Sequence, residues 1–246
     1  MDIEEYHNTP GISASQLWLL EESPMHLDKA YCFKKFSDEM SFGNLVHDML
    51  LLPELIETNY AIEPKFNLRT KEGKESKQEF IEACNGKVAI DPEDFATAQK
   101  MVANVQEIAG HLLTGGKTEQ SYMVEHDGLI YKCRPDYYAN DHVFDLKTID
   151  DISESGIERN IRLYRYDRAA AWYLMVLNLA GHEAERFSLI FAQKKMPYMV
   201  KVREFPVETL YQASLEIDAL ISAYRDYKLF GNCDVSKYLN GAAING

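Results

Sequence analysis

Four residues in the middle of the chain, Glu119, Asp136, Asp145 and Lys147, have the types and spacing to gather a divalent cation and an ammonium group around one reacting centre. They lie in or beside stretches that read as β-strands, 121–126, 129–138 and 142–148, separated by the two-residue turn signals Asp127-Gly128 and Asn140-Asp141. Counting outward from the first turn places Glu119 opposite Asp136, provided the first strand reaches back that far. Counting from the second places Asp136 opposite Asp145 and Arg134 opposite Lys147. Strand side chains alternate, so Asp145 and Lys147 share a face. The expectation is three carboxylates in a row across three strands, with a lysine beside them; a bulge in either hairpin shifts the register.

Such a row is costly on its own. Opposed side chains lie about 4.5–5.5 Å apart, and like charges there destabilise a sheet. Two carboxylates roughly 5 Å apart at an effective dielectric near 20 repel by about 3 kcal/mol. Protonation or a divalent cation relieves this, and Mg²⁺ favours two or three carboxylates plus a phosphate and water. A lysine beside that centre orients or deprotonates water, or balances phosphate charge. Taken alone, Asp-x-Lys is a common pattern on an exposed strand face, and Glu119 is a solvated strand end. The shared register carries the argument.

The elements that must position these residues follow from periodicity and punctuation. Ser13 or Ser15 caps a helix running towards Tyr31, with Leu17, Leu20 and Leu27 among its apolar positions, and a second helix covers 41–52. Residues 64–77, with Arg69, Lys71, Lys74 and Lys77, read as a mobile basic loop leading into a short helix. Asp91 caps a long helix to about Leu113. Beyond the three strands come helices at about 151–162 and 165–180, strands at 186–193 and 198–205, and a helix at 207–229. Residues 240–246 read as frayed. The fold class is α/β, one mixed sheet flanked by helices. The whole, 1–246, is a single domain: 1–114 mainly helical, 115–230 holding the catalytic sheet, and 231–246 a tail.

The formal net charge of −13 excludes a uniformly basic nucleic-acid binder, so contact with a polyanion needs a local basic patch. Cys32, Cys84, Cys133 and Cys233 are scattered without a C-x-x-C pair and read as reduced thiols. The acidic start lacks a signal-peptide pattern, and the apolar stretch near Met49 to Leu52 is too short for a membrane span. A cytoplasmic protein with no membrane partner is expected.

The sequence resembles the C-terminal nuclease family of exonuclease VIII (RecE), in the RecB-like branch of the PD-(D/E)xK superfamily. The resemblance runs through Tyr6 to Leu17, the G-x-x-x-H motif at Gly43 to His47, the basic segment Phe66 to Glu75, and the strands Cys133 to Asp136 and Phe144 to Thr148. It implies a restriction-endonuclease-like core with Asp136 and Asp145 as metal ligands and Lys147 as the catalytic lysine. Glu119 is then a further acid of the site, His47 a ligand of metal or water, and the Leu146 carbonyl a further metal ligand. One departure stands out. Where RecB-like nucleases carry Gln-x-x-x-Tyr, this chain has Ala169 to Tyr173, and a methyl group cannot replace the hydrogen bonds of an amide.

Arg159, Arg162 and Arg165 recur every three residues, a basic ridge if they share one helix. With Arg69, Lys71 and Lys74 they are candidate phosphate contacts, with Tyr173 a candidate beside them. The other reading is a solvated face neutralised by Asp150, Asp151, Glu154 and Glu158. The resemblance implies a two-metal (Mg²⁺ or Mn²⁺) exonuclease degrading linear double-stranded DNA from 5′ ends. It also implies a ring-shaped homo-oligomer, a tetramer, working beside a RecT-like annealing protein. The alternatives are a nuclease-fold DNA-binding protein of little turnover, weakened at Ala169, and a structure-specific endonuclease.

Overall fold

The computed structural model of the chain describes residues 3–25, 38–231 and 233–244. The chain opens with helix α1 (Ile3–Asn8), a 3-10 turn at Ala14–Gln16 and α2 (Leu17–Glu22). Leu17 and Leu20 are buried as expected, whereas Leu27 lies outside the described residues. The helix expected to run to Tyr31 stops at Ser23, which is extended. Pro24 follows, and a residue preceding proline is driven out of the helical region. Helix α3 (Asp38–Leu51) ends two residues before Pro53, and α4 (Ile56–Asn59) leads into strand β1 (Tyr60–Ile62).

The basic segment is less of a loop than its charge suggests. Thr70 accepts a hydrogen bond from the Gly73 amide at 3.0 Å and caps α5 (Lys71–Ala83), so Lys71, Lys74 and Lys77 are helical and Arg69 stands outside. Strand β2 (Val88–Ile90) pairs in parallel with β1, and Asp91 caps α6 (Pro92–Ala109).

Five more strands follow: β3 (Lys117–Thr118), β4 (Tyr122–His126), β5 (Leu129–Cys133), β6 (Tyr137–Ala139) and β7 (His142–Ile149). The crossover α7 (Glu154–Tyr164) and α8 (Tyr166–Leu179) leads to β8 (Arg186–Gln193) and β9 (Val200–Glu204). Helix α9 (Val207–Phe230) and α10 (Val235–Ile244) complete the described chain. Residues 240–244, within the stretch expected to fray, are therefore helical, and Val235 at the start of the same helix is buried in the core.

The central sheet is mixed, in the order β3-β6-β7-β8-β9, and β4-β5 forms a separate ribbon. Both hairpins keep the register counted from their turns: Tyr122 pairs with Cys133, and Tyr137 with Phe144. The stretch 129–138 is not one strand, however. It breaks at Arg134-Pro135, where proline supplies no amide to a ladder, so β5 leaves with β4 while β6 stays in the main sheet. Arg134 consequently does not stand opposite Lys147.

Strands β7 and β8 are parallel and buried on both faces. On one side Val143, Leu189 and Phe191 share a core with Trp172, Leu177, Ile217 and Leu220 of α8 and α9. On the other, Phe144, Leu146 and Ile190 pack with Leu45 and Val46 of α3 and Met101 and Val105 of α6. Asp145 and Lys147 have the strand parity of Val143 and so belong to the α8 side. Cys84, Cys133 and Cys233 are free, and no helix among the described residues is long and apolar enough to cross a membrane.

Gly116 sets the edge strand that leads to Glu119. Its amide donates to the Tyr137 hydroxyl at 2.6 Å, and a Cβ there would lie 2.5 Å from the Tyr138 carbonyl oxygen and 2.6 Å from Tyr137 Cζ. Gly116→Ala is expected to cost about 1–3 kcal/mol by overpacking. Urea unfolding measures it, and an unchanged midpoint would show that the strand shifts freely.

Candidate active site

The register that links the hairpins also brings the acids together. Glu119 lies just past β3, and its amide donates to the Asp136 carbonyl at 3.1 Å, continuing the expected pairing. Its φ of 52° is the left-handed region that non-glycine residues avoid, so surrounding contacts must hold it. One of them is Arg134, whose Nε donates to Glu119 Oε2 at 2.6 Å and whose Nη1 reaches Ser121 Oγ at 3.1 Å. Asp136 follows the proline break, and its Oδ2 accepts from the Leu146 amide at 2.7 Å. A side chain thus fills part of the ladder that Pro135 interrupts. The Leu146 side chain is buried on the opposite face of the sheet.

Helix α3 supplies the histidine. Leu45 and Val46 anchor it against the sheet, and His47 Nε2 lies 3.0 Å from Glu119 Oε1 and 3.2 Å from Asp136 Oδ1. Asp48 Oδ1 lies 3.5 Å from His47 Nδ1, and Tyr60 donates to Asp48 Oδ2 at 2.8 Å. Burial alone would depress the imidazole, but the Asp136 charge and hydrogen bond, with help from Asp48 and Glu119, push it up to about 12. Asp136 is half-buried, and its desolvation opposes ionisation, yet the charges of His47 and Lys147 and the Leu146 amide hold it below the usual carboxylate range.

Asp145 and Lys147 form the second half of the site. The Lys147 ammonium is ion-paired to Asp145 Oδ2, a buried oxygen. Burial, with repulsion from Asp136, pushes Asp145 up to about 6 against the pull of Lys147. Burial would depress Lys147, but Asp145 and Asp136 outweigh it and keep its affinity for a proton above that of an ordinary lysine. In this arrangement Lys147 is a cation, suited to holding negative charge rather than to removing a proton.

His47, Glu119 and Asp136 each offer a ligand atom, all within 4.8 Å of one another. One imidazole nitrogen and two carboxylate oxygens fit a divalent cation, and the protonated imidazole lies between the same carboxylates. Asp145 lies outside that trio and is engaged by Lys147 instead, so the single row expected from the strands becomes a trio and a pair. Asp145 and Lys147 open onto a cleft of about 320 Å³, walled also by Ser15, Tyr166, Ala169 and Tyr173. Tyr173, whose ring packs near Phe187, thus belongs both to the core edge and to the cleft, and the Ala169 methyl faces the same space.

The basic candidates are placed less uniformly. Arg159 and Arg162 are exposed on α7, with Arg159 Nη2 3.4 Å from Asp151 Oδ2. Arg165 is past the helix end at φ 51°, so it is a joint between α7 and α8 rather than a third rung of the ridge. It lines the cleft while bound to Asp167 and Glu216. Arg168 is 3% exposed and held by Glu21 and Glu216. Arg69, Lys71 and Lys74 are exposed, with Lys71 3.5 Å from Glu75, and none of them lines the cleft. Asp48 and Tyr166 are site residues that strand counting missed, and Arg134, counted opposite Lys147, instead pairs with Glu119. The Arg-Pro-Asp triplet held a usable signal for Arg134, because crowded acids need a neighbouring cation.

A mixed sheet with helices on both faces, carrying these acids and the lysine on adjacent strands, defines a domain of the PD-(D/E)xK class. The chain belongs to the family described as the PDDEXK-like domain of unknown function, DUF3799, whose model matches residues 13–229. Its fold is similar to that of a protein from Eubacterium rectale provisionally described as an exonuclease. That match has a TM-score of 0.62 and 15% identity over 98% of this chain and 87% of the other. A looser likeness is to a phage-related exonuclease from Haemophilus somnus 129PT, with a TM-score of 0.39 and 12% identity over 91% and 96% of the two chains. No curated protein matches the sequence.

Two results are expected from metal titration by calorimetry. Mn²⁺ binds more tightly than Mg²⁺, because an imidazole ligand suits the former better, and His47→Ala narrows the gap. Because the metal-free imidazole holds its proton, binding through Nε2 releases close to one proton at pH 7.5, and affinity rises with pH. Equal Mn²⁺ and Mg²⁺ affinities, or no proton release, would remove His47 from the ligand set.

Proposed function

We propose that this protein is a metal-dependent deoxyribonuclease that hydrolyses phosphodiester bonds of linear double-stranded DNA from its ends. The observation that carries the reading is the His47, Glu119 and Asp136 trio beside the Asp145–Lys147 pair, with the latter open to a cleft. The ligands are His47, Glu119 and Asp136, with Asp145 and the Leu146 carbonyl as further oxygens for a second ion. Mg²⁺ or Mn²⁺ bound there supplies Lewis-acid polarisation of the phosphate and acidifies a water.

The protein's own residues do the rest. Lys147 holds the ammonium where a phosphate at the cleft mouth gains negative charge during attack. Asp145 keeps that ammonium charged and aimed. Arg134 and the Leu146 amide fix Glu119 and Asp136, so the acids need no reorganisation when a phosphate arrives. Arg159 and Arg162 on α7 supply outer phosphate contacts.

The finer reading follows the likeness to RecE-type nucleases: 5′ to 3′ degradation that leaves single-stranded 3′ tails for recombination. A ring-shaped tetramer, a RecT-like annealing partner and a cytoplasmic location belong to the same reading. A second reading is a DNA-binding protein of low turnover. Ala169 favours it, because a methyl group lines the cleft where an amide would otherwise bind phosphate or water.

An end-labelled linear duplex in Mg²⁺, run beside a closed circle, tests the proposal. Digestion of the linear form alone is expected; attack on the circle would make it an endonuclease. No digestion by the chain or by Ala169→Gln would end the nuclease reading. Asp145→Asn and Lys147→Ala are each expected to slow digestion by about 10²–10³-fold. Rates equal to the parent would mean that the chemistry lies elsewhere.

A further inference from the structure

Arg165 changes the direction of the chain between α7 and α8, and this has a consequence for the two residues beside it. Residues two apart on a continuous helix point to different sides and do not meet. Here Arg165 adopts φ 51° and ψ 47°, and the Tyr164 and Tyr166 rings stack with centroids 5.6 Å apart and planes 23° from parallel. The turn is held by ion pairs from Arg165 to Asp167 and Glu216. An unfavourable backbone conformation, fixed by two carboxylates, therefore yields an aromatic pair.

That pair runs from the reacting centre to solvent. The Lys147 ammonium lies 5.5 Å from the Tyr166 ring centroid, Tyr166 stacks on Tyr164, and Tyr164 is 59% exposed. Both rings line the cleft that contains Asp145 and Lys147. A volume of about 320 Å³ is at the lower end of small-molecule sites, roughly 300–1,000 Å³. It takes one nucleotide, not a base pair within a duplex. The stacked rings put an exposed aromatic face at the cleft, and a nucleobase offers a flat π-face of matching chemistry.

Resting on the nuclease reading, we infer that Tyr164 and Tyr166 form a stacking platform for an unpaired nucleobase, so that the cleft receives the strand in single-stranded form. The exposed ring takes the base, while the cations deeper in the cleft take the phosphate attached to it. Stacking of this kind tolerates any base sequence, because every base presents a π-face. Duplex ends would then enter by separating their terminal pair.

The test separates binding from hydrolysis. A fluorescent single-stranded oligonucleotide and its counterpart with consecutive abasic residues are titrated with the full chain in EDTA, read by anisotropy. The normal oligonucleotide is expected to bind roughly 5- to 150-fold more tightly. Tyr164→Phe keeps that ratio and Tyr164→Leu, which retains an apolar side chain without a π-face, brings it close to one. Urea midpoints confirm that both variants fold. Equal affinity for the two oligonucleotides, no binding of the normal one, or an unchanged ratio in Tyr164→Leu overturns the platform. Hydrolysis of linear duplex by the parent in Mg²⁺ is scored separately, so loss of the platform and loss of the nuclease reading are different results.

Discussion

The structure around the site is organised by the repulsion among three carboxylates, the buried Asp145 and the half-buried Glu119 and Asp136. Left alone they would neutralise or push the strands apart. The fold instead gives each a cation from a different element: Arg134 after β5 for Glu119, His47 on α3 for Asp136, and Lys147 on β7 for Asp145. The shared charge explains why neighbouring groups move oppositely, with Asp136 lowered and Asp145 raised. Burial opposes the charge of both; for Asp136 it is outweighed by two nearby cations and the Leu146 amide, whereas Asp145 also meets the Asp136 charge. A bound cation would enter a balance already close to neutral.

That balance constrains the scaffold. Asp136 meets Glu119 because the backbone pairing continues past β3, and it meets Leu146 because Pro135 leaves part of the ladder to a side chain. The break at Arg134-Pro135 has a second effect. It frees β4 and β5 to form a ribbon on which the N-terminal segment is laid, with the Ile12 amide donating to the Ile130 carbonyl at 2.8 Å. Lys132 then ties that segment down through the Tyr6 and Thr9 carbonyls at 2.8 and 2.6 Å. Burial lowers the proton affinity of Lys132, and the two carbonyls replace part of the water it lost.

Much of the sheet was legible because turns act locally. Asp127-Gly128 and Asn140-Asp141 each fix a register within a few residues, and the counted pairings of Glu119 with Asp136 and of Tyr137 with Phe144 need only that register. Where side chains end up after chain segments meet was not legible in this way. Asp145 has the spacing for a row of acids, but its neighbour Lys147 folds back onto it. His47 entered through family likeness, since no counting rule links residue 47 to residue 119. The ridge of arginines failed at Arg165, where pairing with Glu216, 51 residues away, holds a conformation that local preference disfavours. Three-residue strands such as β1 and β2 are too short to show a period at all.

The walls of the cleft come from widely separated parts of the chain, and this bears on when it comes into being. Ala14, Ser15 and Leu17 form one side, Tyr164 to Tyr173 another, and Phe187 and Leu189 of β8 the floor. Arg168 joins the first two through Glu21, a partner 147 residues earlier, and its remaining partner Glu216 belongs to α9. Such long closures are made late, because their entropy must be met before their contacts form. The cleft is thus complete only when α2, α8, β8 and α9 have met, although the acids and the lysine all precede residue 148 in the chain.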